Sequence, residues 1–228
     1  SSAASDVYKR QDCSAFPKRE LDETHRLCAE MGVTHLNIKI NQLRIDGFVK
    51  NTPLRCYYCK RELMSRLIKA AQEKGFDTVF EGSNADDDND YRPGMRAVKE
   101  LGVLSPLKNA ELTKSEIRRL SKALGLSTYS KPSLACLATR IEYDEEITAQ
   151  KLKMTDEAEQ VLCDLGLTQV RVRMNDNSAR IEVPLDEMKT VFDNAKYIND
   201  ALKKIGYDFV SLDLEGYKTG KMNININN

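Results

Sequence analysis

The chain has 228 residues, of which 41% are hydrophobic and 31% charged, a composition typical of one or two folded domains and not of a disordered chain. Lysine and arginine total 35, as do aspartate and glutamate, and this zero net charge argues against chain-wide binding to nucleic acid or anionic lipid. No apolar run approaches the roughly 18 residues of a membrane span, and no leader pattern is present, so we expect a cytoplasmic protein that neither spans nor binds a membrane.

After a polar start, the first part of the chain alternates between helices and short strands. Residues 1–11 have no apolar period and are expected to lie outside the fold, as a foreign remnant or a disordered tail. The periodicity predicts helices at 17–31, 56–74 and 112–124 and strands at 35–40 and 77–81. Thr113 and Glu116 form a capping-box pattern at the start of the third helix. Helices that end at glycine and lead into strands are typical of a parallel α/β sheet.

The pattern changes near residue 144. Helices are predicted at 147–165 and 185–205, and strands at 169–174, 179–183 and 208–214. This succession is typical of a small α+β domain. The expected organisation is therefore a tail at 1–11, an α/β domain at 12–143 and an α+β domain at 144–228.

Three of the six cysteines stand out by their positions. Cys56 and Cys59 are three residues apart at the start of a predicted helix, so both sulfur atoms face one side, at a helix end that favours thiolate. Cys136 lies in a segment of small residues. No second C-x-x-C pair completes a structural zinc site, whereas three thiolates suit an iron–sulfur cube in which one iron lacks a cysteine ligand. A redox dithiol and ordinary core cysteines remain alternative interpretations.

A glycine followed by acidic residues leaves the strand predicted at 77–81. In open α/β sheets this end of a strand is where ligands bind. Gly82 lets the backbone approach a ligand, and the aspartates between 86 and 90 are suited to hold Mg²⁺ with a nucleotide. Taken alone, the segment is more consistent with a solvated acidic turn than with a ligand site.

Two strands of the second domain alternate apolar and charged residues. If they form a hairpin, Arg171, Arg173, Arg180 and Glu182 share one outer face. Clustered guanidinium groups bind phosphate or carboxylate, and a solvated, salt-bridged face is the alternative. Residues 216–221 lack the spacing of a Walker A loop, but their lysines are placed to meet an anion.

Six segments occur in an order that resembles the LarE family of ATP-dependent sulfur transferases, which belongs to the PP-loop ATP pyrophosphatases. They are residues 51–60, 81–87, 90–94, 104–107, 131–140 and 216–223. Strings such as Gly82–Asp87 recur in other PP-loop enzymes, whereas the six in this order are specific. The resemblance implies a Rossmann-like PP-loop domain, of the adenine nucleotide alpha hydrolase type, at 12–143 and a substrate-binding and oligomerisation domain at 144–228.

The resemblance also implies a reaction. Family members use ATP and Mg²⁺ to adenylate a carboxylate of pyridinium-3,5-biscarboxylate mononucleotide, and sulfur then displaces AMP to give a thiocarboxylate. The product leads to the nickel-pincer nucleotide cofactor of lactate racemase. Some members give up sulfur from their own cysteine, and others hold a [4Fe-4S] cluster on three cysteines. The expected partner is therefore a small-molecule nucleotide, and relatives assemble as homo-oligomers.

Site residues follow from the resemblance position by position. Cys56, Cys59 and Cys136 match the cluster ligands, and Cys136 is the candidate catalytic sulfur carrier; the donor of the sacrificial type stands one position earlier, where this chain has Ala135. Nucleotide-binding positions are Gly82, Ser83, Asn84, Asp86 and Asp87. Substrate-binding positions are Arg92, Arg140, Arg171, Arg173, Glu182 and Lys218. Relatives carry arginine at 218, and lysine lacks its bidentate fork.

One family signature is absent from the sequence. PP-loop enzymes carry a Ser-Gly-Gly-x-Asp-Ser string whose amides bind pyrophosphate, and no Gly-Gly pair occurs here. We therefore expect an N-terminal truncation and poor ATP hydrolysis by this chain. The alternatives are another PP-loop enzyme, such as a tRNA thiolase or an amidating synthase, and a zinc- or redox-binding module without catalysis; balanced charge disfavours the tRNA enzyme.

Overall fold

The computed structural model describes residues 7–12, 15, 18–89, 91–131, 135–218 and 220–223, which form two compact units. Unit 1 takes the described residues of 1–13, 18–40 and 53–133, and unit 2 takes those of 14–17, 41–52 and 134–228. The last segment of unit 2 runs from 134, whereas the sequence placed the domain boundary at 144, and unit 2 also takes in 41–52. The buried Asn51 explains this, because its side-chain amide donates to the carbonyl oxygens of Ile141 (3.4 Å) and Glu142 (2.6 Å).

Unit 1 combines a short parallel sheet with helices. Its elements are β1 (Val7–Asp12), α1 (Lys18–Glu30), β2 (Thr34–Lys39), α3 (Arg55–Gln72), α4 (Gly94–Glu100), α5 (Pro106–Asn109) and α6 (Lys114–Ala123). β1 and β2 pair in parallel, with Val7 opposite Thr34. Part of the segment expected to be a tail is therefore a strand. Strands pair through backbone N–H and C=O groups, and these are present in polar and apolar segments alike.

The strand predicted at 77–81 is reduced to one parallel bridge between Phe80 and Leu104. The Leu104 amide donates to the carbonyl of Val79 (3.0 Å), and the Glu81 amide donates to the carbonyl of Leu104 (2.8 Å). Among the described residues of unit 1, the expected parallel sheet is therefore the β1–β2 pair and this bridge. A small apolar cluster of Met64, Val98 and Val103 packs α3 against α4 and the approach to the bridge.

The helix limits in unit 1 follow local signals. α6 has both hydrogen bonds of the predicted capping box, because the Glu116 amide donates to Thr113 Oγ1 (3.3 Å) and the Thr113 amide donates to Glu116 Oε2 (2.9 Å). Gly75 and Gly125 follow α3 and α6 with φ of 79° and 72°, a backbone conformation that favours glycine and ends a helix.

Unit 2 is a three-stranded mixed sheet with helices. Its elements are α2 (Asp46–Val49), α7 (Ala149–Asp164), β3 (Arg171–Asn175), β4 (Ser178–Glu182), α8 (Met188–Asp193), α9 (Ala195–Ile205) and β5 (Phe209–Leu212). β3 pairs antiparallel with β4, and β5 pairs parallel with β4. Its core packs α7 and α9 against the sheet through Ala158, Leu162, Val172, Ile181 and Leu202.

The helix predicted at 185–205 is interrupted. A 3₁₀ turn at Leu185–Glu187 leads into α8, and α9 starts after Asn194. The Asn194 side chain donates to the carbonyl of Thr190 (2.9 Å), a side-chain bond that competes with continuation of the helix. Throughout the described residues, no helix has both the length and the apolar character that a membrane span requires.

Candidate functional site

The charged face of the β3–β4 hairpin is buried. The register sets Arg171 opposite Glu182 and Arg173 opposite Arg180. Arg171, Arg173 and Glu182 are buried, and only Arg180 keeps a side chain that is 49% exposed. The outer face expected from the alternation therefore holds only for Arg180, because Thr139 of the 3₁₀ turn Leu137–Arg140 lies against Arg173 and the Tyr217 ring lies against Arg171. The alternative of a solvated face likewise does not describe the three buried residues.

A shared carboxylate joins the two strands of this hairpin. Glu182 Oε2 accepts a hydrogen bond from Arg173 Nε (3.0 Å) and lies 2.9 Å from Arg173 Nη2. The other oxygen, Glu182 Oε1, accepts from Arg180 Nη2 (3.4 Å). Arg173 Nη1 also donates to the carbonyl of Thr139 (2.8 Å). A buried carboxylate is tolerated only with such partners, so the side chains are held in one arrangement.

A second, fully buried ion pair lies under the segment that carries Cys136. The side chains of Arg140 and Glu159 are 0% and 2% exposed. Arg140 Nε donates to Glu159 Oε1 (2.7 Å), and Arg140 Nη2 donates to Glu159 Oε2 (2.9 Å). Arg140 Nη1 donates to the carbonyl oxygens of Ala135 (3.0 Å) and Cys136 (3.2 Å). The Val172 amide donates to Glu159 Oε1 (3.1 Å). Arg140, which the resemblance assigns to substrate binding, is thus engaged with the backbone around Cys136.

Arg171 is a buried cation of the hairpin, and its Nη1 donates to the carbonyl of Val170 (2.6 Å). Burial and the nearby charge of Arg140 lower the pKa of Arg171, while Glu159 and Tyr217 oppose that shift. The Arg171 guanidinium lies 5.2 Å from the centre of the Tyr217 ring, a cation–π distance. The charge of Arg171 is therefore stabilised partly by an aromatic ring.

A tight turn fixes Tyr217 beside the hairpin. Gly216 has φ of 72°, and a Cβ added to it would lie 2.8 Å from the carbonyl oxygen of Val183. The Tyr217 amide donates to that same carbonyl oxygen (2.9 Å). Lys221 Nζ lies 2.7 Å from Asp213 Oδ2, which anchors the far end of the turn, and Lys218 pairs with Glu215 at the surface.

Glu159 and Tyr217 were missed by the sequence prediction. Tyr217 lies in the segment 216–221, in which only the lysines were considered as anion-binding residues. Glu159 had a usable signal, because it falls on the stripe formed by Leu152, Thr155 and Leu162 at helical spacing. A carboxylate on an otherwise buried helical stripe indicates a paired internal charge.

The acidic segment in unit 1 is folded by its own hydrogen bonds. The Asn84 amide donates to Asp87 Oδ2 (3.0 Å), and the Asp86 amide donates to Asn84 Oδ1 (3.0 Å). Asp86 Oδ2 accepts from the Lys114 amide at the start of α6 (2.8 Å), and Asp87 Oδ1 lies 3.0 Å from Arg92 Nη2. The solvated-turn interpretation therefore does not describe Asp87, which is buried.

Glu81 organises the backbone at the start of this segment, and the site prediction omitted it. Its Oε1 accepts from Ser105 Oγ (2.5 Å) and the Ser83 amide (3.1 Å), and Oε2 lies 3.5 Å from Lys60 Nζ. Burial raises the pKa of Glu81, but the Ser105 and Ser83 hydrogen bonds and the Lys60 charge outweigh it, so the net shift is downward. Beside it, a Cβ added at Gly82 would meet nothing within 4 Å, so this backbone has open space for a ligand.

The predicted cluster ligands fall in both units. Cys56 and Cys59 lie in the first turns of α3, exposed and half-buried respectively, and Cys136 is half-buried just before the turn Leu137–Arg140. None of the three is in a disulfide bond. Within each unit, the described residues contain no group of three or more His, Cys, Asp or Glu side chains that could hold a metal ion. A cluster on these three cysteines stays a prediction.

The other two cysteines of the described chain are accounted for by packing. Cys28 is buried, and burial raises the pKa of its thiol. Cys163 is half-buried against the core of unit 2.

Three known proteins are similar to nearly the whole chain. An uncharacterized protein, slr1717, from Synechocystis sp. is 38% identical over 206 residues, which cover 90% of this chain and 77% of that protein. The pyridinium-3,5-bisthiocarboxylic acid mononucleotide synthase of Lactiplantibacillus plantarum is 33% identical over 208 residues, which cover 91% of this chain and 75% of that protein. The uncharacterized protein MJ0830 of Methanocaldococcus jannaschii is 33% identical over 185 residues, or 81% and 71%.

No protein-family model matches the chain. The resemblance inferred from six ordered segments is nevertheless confirmed at the level of the family, because the synthase aligns with the chain over both structural units. The chain belongs to the LarE family, that of the pyridinium-3,5-bisthiocarboxylic acid mononucleotide synthase.

Proposed function

We propose that this chain is an ATP-dependent sulfur transferase that adenylates a carboxylate of pyridinium-3,5-biscarboxylate mononucleotide and converts it to a thiocarboxylate. The product serves the biosynthesis of the nickel-pincer nucleotide cofactor. The similarity to the Lactiplantibacillus plantarum synthase supports this assignment. We also propose that unit 1 is a PP-loop domain; the homo-oligomer and the cytoplasmic location stay predictions.

The excess of buried positive charge in the hairpin is the observation that carries the proposal. Three guanidinium groups are buried, those of Arg140, Arg171 and Arg173, and the buried carboxylates beside them are Glu159 and Glu182. Arg180 is half exposed and is shared between Glu182 and Asp213. A substrate with one phosphate and two carboxylates would add negative charge beside these guanidinium groups. An anion beside Arg171 would oppose the lowering of its pKa by burial and by Arg140.

The first chemical step makes a leaving group. The substrate carboxylate attacks the α-phosphorus of ATP, pyrophosphate departs, and an acyl adenylate remains. We assign nucleotide contact to the open backbone at Gly82, with Ser83, Asn84, Asp86 and Asp87 holding the segment in shape. Mg²⁺ would accompany the phosphates, where a divalent cation neutralises developing charge. Arg92, which pairs with Asp87, is placed to add positive charge at this segment.

The second step replaces AMP by sulfur. Cys56, Cys59 and Cys136 are the residues that would hold a [4Fe-4S] cluster, and the donor set fits because three thiols outside disulfides leave one iron without a cysteine ligand. When bound, the cluster would supply the sulfur. Arg140 holds the backbone of Cys136, whether that cysteine is a ligand or a direct donor, and Glu159 holds Arg140.

The test combines metal analysis with product detection. We expect the anaerobically purified chain to contain iron and labile sulfide. Because the Ser-Gly-Gly-x-Asp-Ser string is absent from this sequence, the ATP reaction is tested on a version extended at its N-terminus by a segment that carries the string. With ATP and Mg²⁺, that version is expected to convert the biscarboxylate nucleotide to the thiocarboxylate, as read by mass spectrometry. Cys136→Ala should lose the product, whereas the matched variant Cys163→Ala should retain it, because Cys163 packs against the core. Zinc without iron, together with no thiocarboxylate, would overturn the proposal in favour of a binding module.

A further inference from the structure

The first turn of α3 has two distinct sides. At about 100° per residue, Cys56 and Cys59 are about 60° apart on the helix, and Tyr57 lies about 130° from the midpoint between them. Cys56 is exposed and Cys59 is half-buried, whereas Tyr57 is only 6% exposed. The turn therefore anchors itself through Tyr57 and leaves both sulfur atoms on the other side.

Tyr57 is anchored by two charged residues of α4. Its hydroxyl donates to Glu100 Oε2 (2.7 Å), and Arg96 Nε donates to Glu100 Oε1 (2.8 Å). The Arg96 guanidinium lies 4.2 Å from the centre of the Tyr57 ring. The three side chains therefore form a closed set of contacts, which we call the Tyr57 bracket.

The bracket differs from the other exposed ion pairs of unit 1. Arg66 and Glu62 on α3 form a pair of the same spacing and similar exposure, with Nε and Oε1 2.6 Å apart. Such a pair alone contributes little to stability. Only the Arg96–Glu100 pair also binds a buried tyrosine among the described contacts, so it joins two helices.

A backbone contact beside the bracket fixes the distance between the helices. Gly94 is the first residue of α4, and a Cβ added there would lie 3.4 Å from the carbonyl oxygen of Cys56 and 3.5 Å from Cβ of Lys60. The start of α4 thus touches the backbone of the cysteine turn. With this contact and the bracket in place, rotation of the turn about the helix axis would break at least one of them.

We infer that Tyr57, Arg96 and Glu100 are positioning residues that set the direction in which Cys56 and Cys59 present their sulfur atoms. The inference rests on the proposed function, because a fixed sulfur geometry matters most when both thiolates bind one cluster. A cluster has fixed metal–sulfur distances, so a turn with a variable orientation would bind it less tightly.

The test uses two variants of the bracket and two matched controls. Tyr57→Phe removes the hydroxyl and keeps the ring, and Glu100→Gln removes the charge that joins the bracket. Tyr58→Phe removes a hydroxyl from the neighbouring, more exposed tyrosine, and Glu62→Gln breaks the exposed pair on α3 that involves no tyrosine. Thermal unfolding establishes that all four variants fold.

The first measurement needs no metal. Iodoacetamide alkylation of the metal-free chain, quantified by peptide mass spectrometry, gives the rate ratio of Cys59 to Cys56. We expect each bracket variant to change this ratio by about threefold or more, the effect of losing one hydrogen bond, and both controls to leave it unchanged. The second measurement is iron retained after anaerobic reconstitution and its visible absorbance, which the bracket variants should lower.

The two measurements separate the inference from the proposed function. If the alkylation ratio of both bracket variants equals that of the wild type, the positioning role is overturned, whether or not iron binds. If the wild type takes up no iron while the ratio responds as expected, the cluster proposal fails and the positioning role stands.

Discussion

The two units hold their charged groups in contrasting ways. In unit 2, Arg140, Glu159, Arg173 and Glu182 are buried and bonded at several atoms each, so their geometry is set by the fold. In unit 1, the pairs of Arg92 with Asp87 and Arg96 with Glu100 each keep one or both partners at the surface. A buried network resists change because any loss leaves an uncompensated charge, whereas a surface pair is replaced by water. The contrast predicts where substitutions cost stability.

Glu159→Gln should have the largest effect. The change leaves the Arg140 guanidinium buried without its counter-charge, and breaking such a pair costs about 3–5 kcal/mol. Glu157→Gln is the matched control on α7, because Glu157 pairs with Lys153 at the surface, with 3.7 Å between Nζ and Oε1. Urea unfolding of both variants measures the difference. Equal midpoints would contradict the contrast between buried and exposed charge.

Gly216→Ala should come next. The residue combines φ of 72° with a Cβ position 2.8 Å from the carbonyl oxygen of Val183, and we expect a loss of about 2–3 kcal/mol from backbone strain and the clash together. Gly220→Ala is the control, because Gly220 has φ of 78° and nothing within 4 Å of an added Cβ. It should lose only about 1 kcal/mol.

If thermal or urea unfolding shows the same loss for the two glycine variants, close approach to Val183 plays no part. If Gly216→Ala alone is strongly destabilised, the contact that places Tyr217 beside Arg171 is required by the fold of unit 2.

Glu81→Gln tests how the stability contributed by a charged group of unit 1 depends on pH. The pKa of Glu81 is lowered in the folded state, so its carboxylate contributes stability that is present above the ordinary value of 4.5 and is lost as pH falls through the folded value. We expect the variant to be less stable than wild type by about 1 kcal/mol at neutral pH, and the gap to close in acid.

Urea unfolding of wild type and variant between neutral pH and strong acid gives that gap. The exposed Glu73, at the end of α3, offers the control variant Glu73→Gln, for which no gap is expected at any pH. A gap for Glu81→Gln that persists unchanged into acid would show that the charge of Glu81 is irrelevant.

Arg180→Gln should have the smallest effect on stability. Arg180 is half exposed and its contacts with Glu182 and Asp213 are both 3.4 Å, so we expect a loss below about 1 kcal/mol. Arg173→Gln, which removes the closer buried partner of the same Glu182, is the comparison and should cost more. Denaturant midpoints decide the order, and the reverse order would show that strand position, and not burial, governs these pairs.

Local patterns allowed a good part of the fold to be predicted. The capping box of Thr113 and Glu116 and the glycines after α3 and α6 set helix limits close to those expected, because a few neighbouring residues determine them. The hairpin of β3 and β4 also follows from alternation around a short polar turn. The strand predicted at 77–81 is reduced to a single bridge, because its pairing depends on Leu104, which is distant in the sequence.

The candidate site was predictable in its residue types and not in its burial. Alternation placed Arg171 and Arg173 on one face of a strand, but the carbonyl of Thr139 lies against Arg173 and the ring of Tyr217 lies against Arg171. Both segments are distant from β3 in the sequence, so no local pattern predicts that they cover this face. Glu159 therefore became a site residue only through its partners Arg140 and Val172.

The sequence by itself determined the family, the α and β elements with strong local signals, and the helix turn that brings Cys56 and Cys59 to one side. These depend on residue order and short-range spacing. Only the tertiary structure decided that Arg140 and Glu159 are an internal pair beneath Cys136 and that Tyr57 is tied to Glu100 and Arg96. Burial and pairing of charge depend on which distant segments cover a side chain, and no local pattern carries that information.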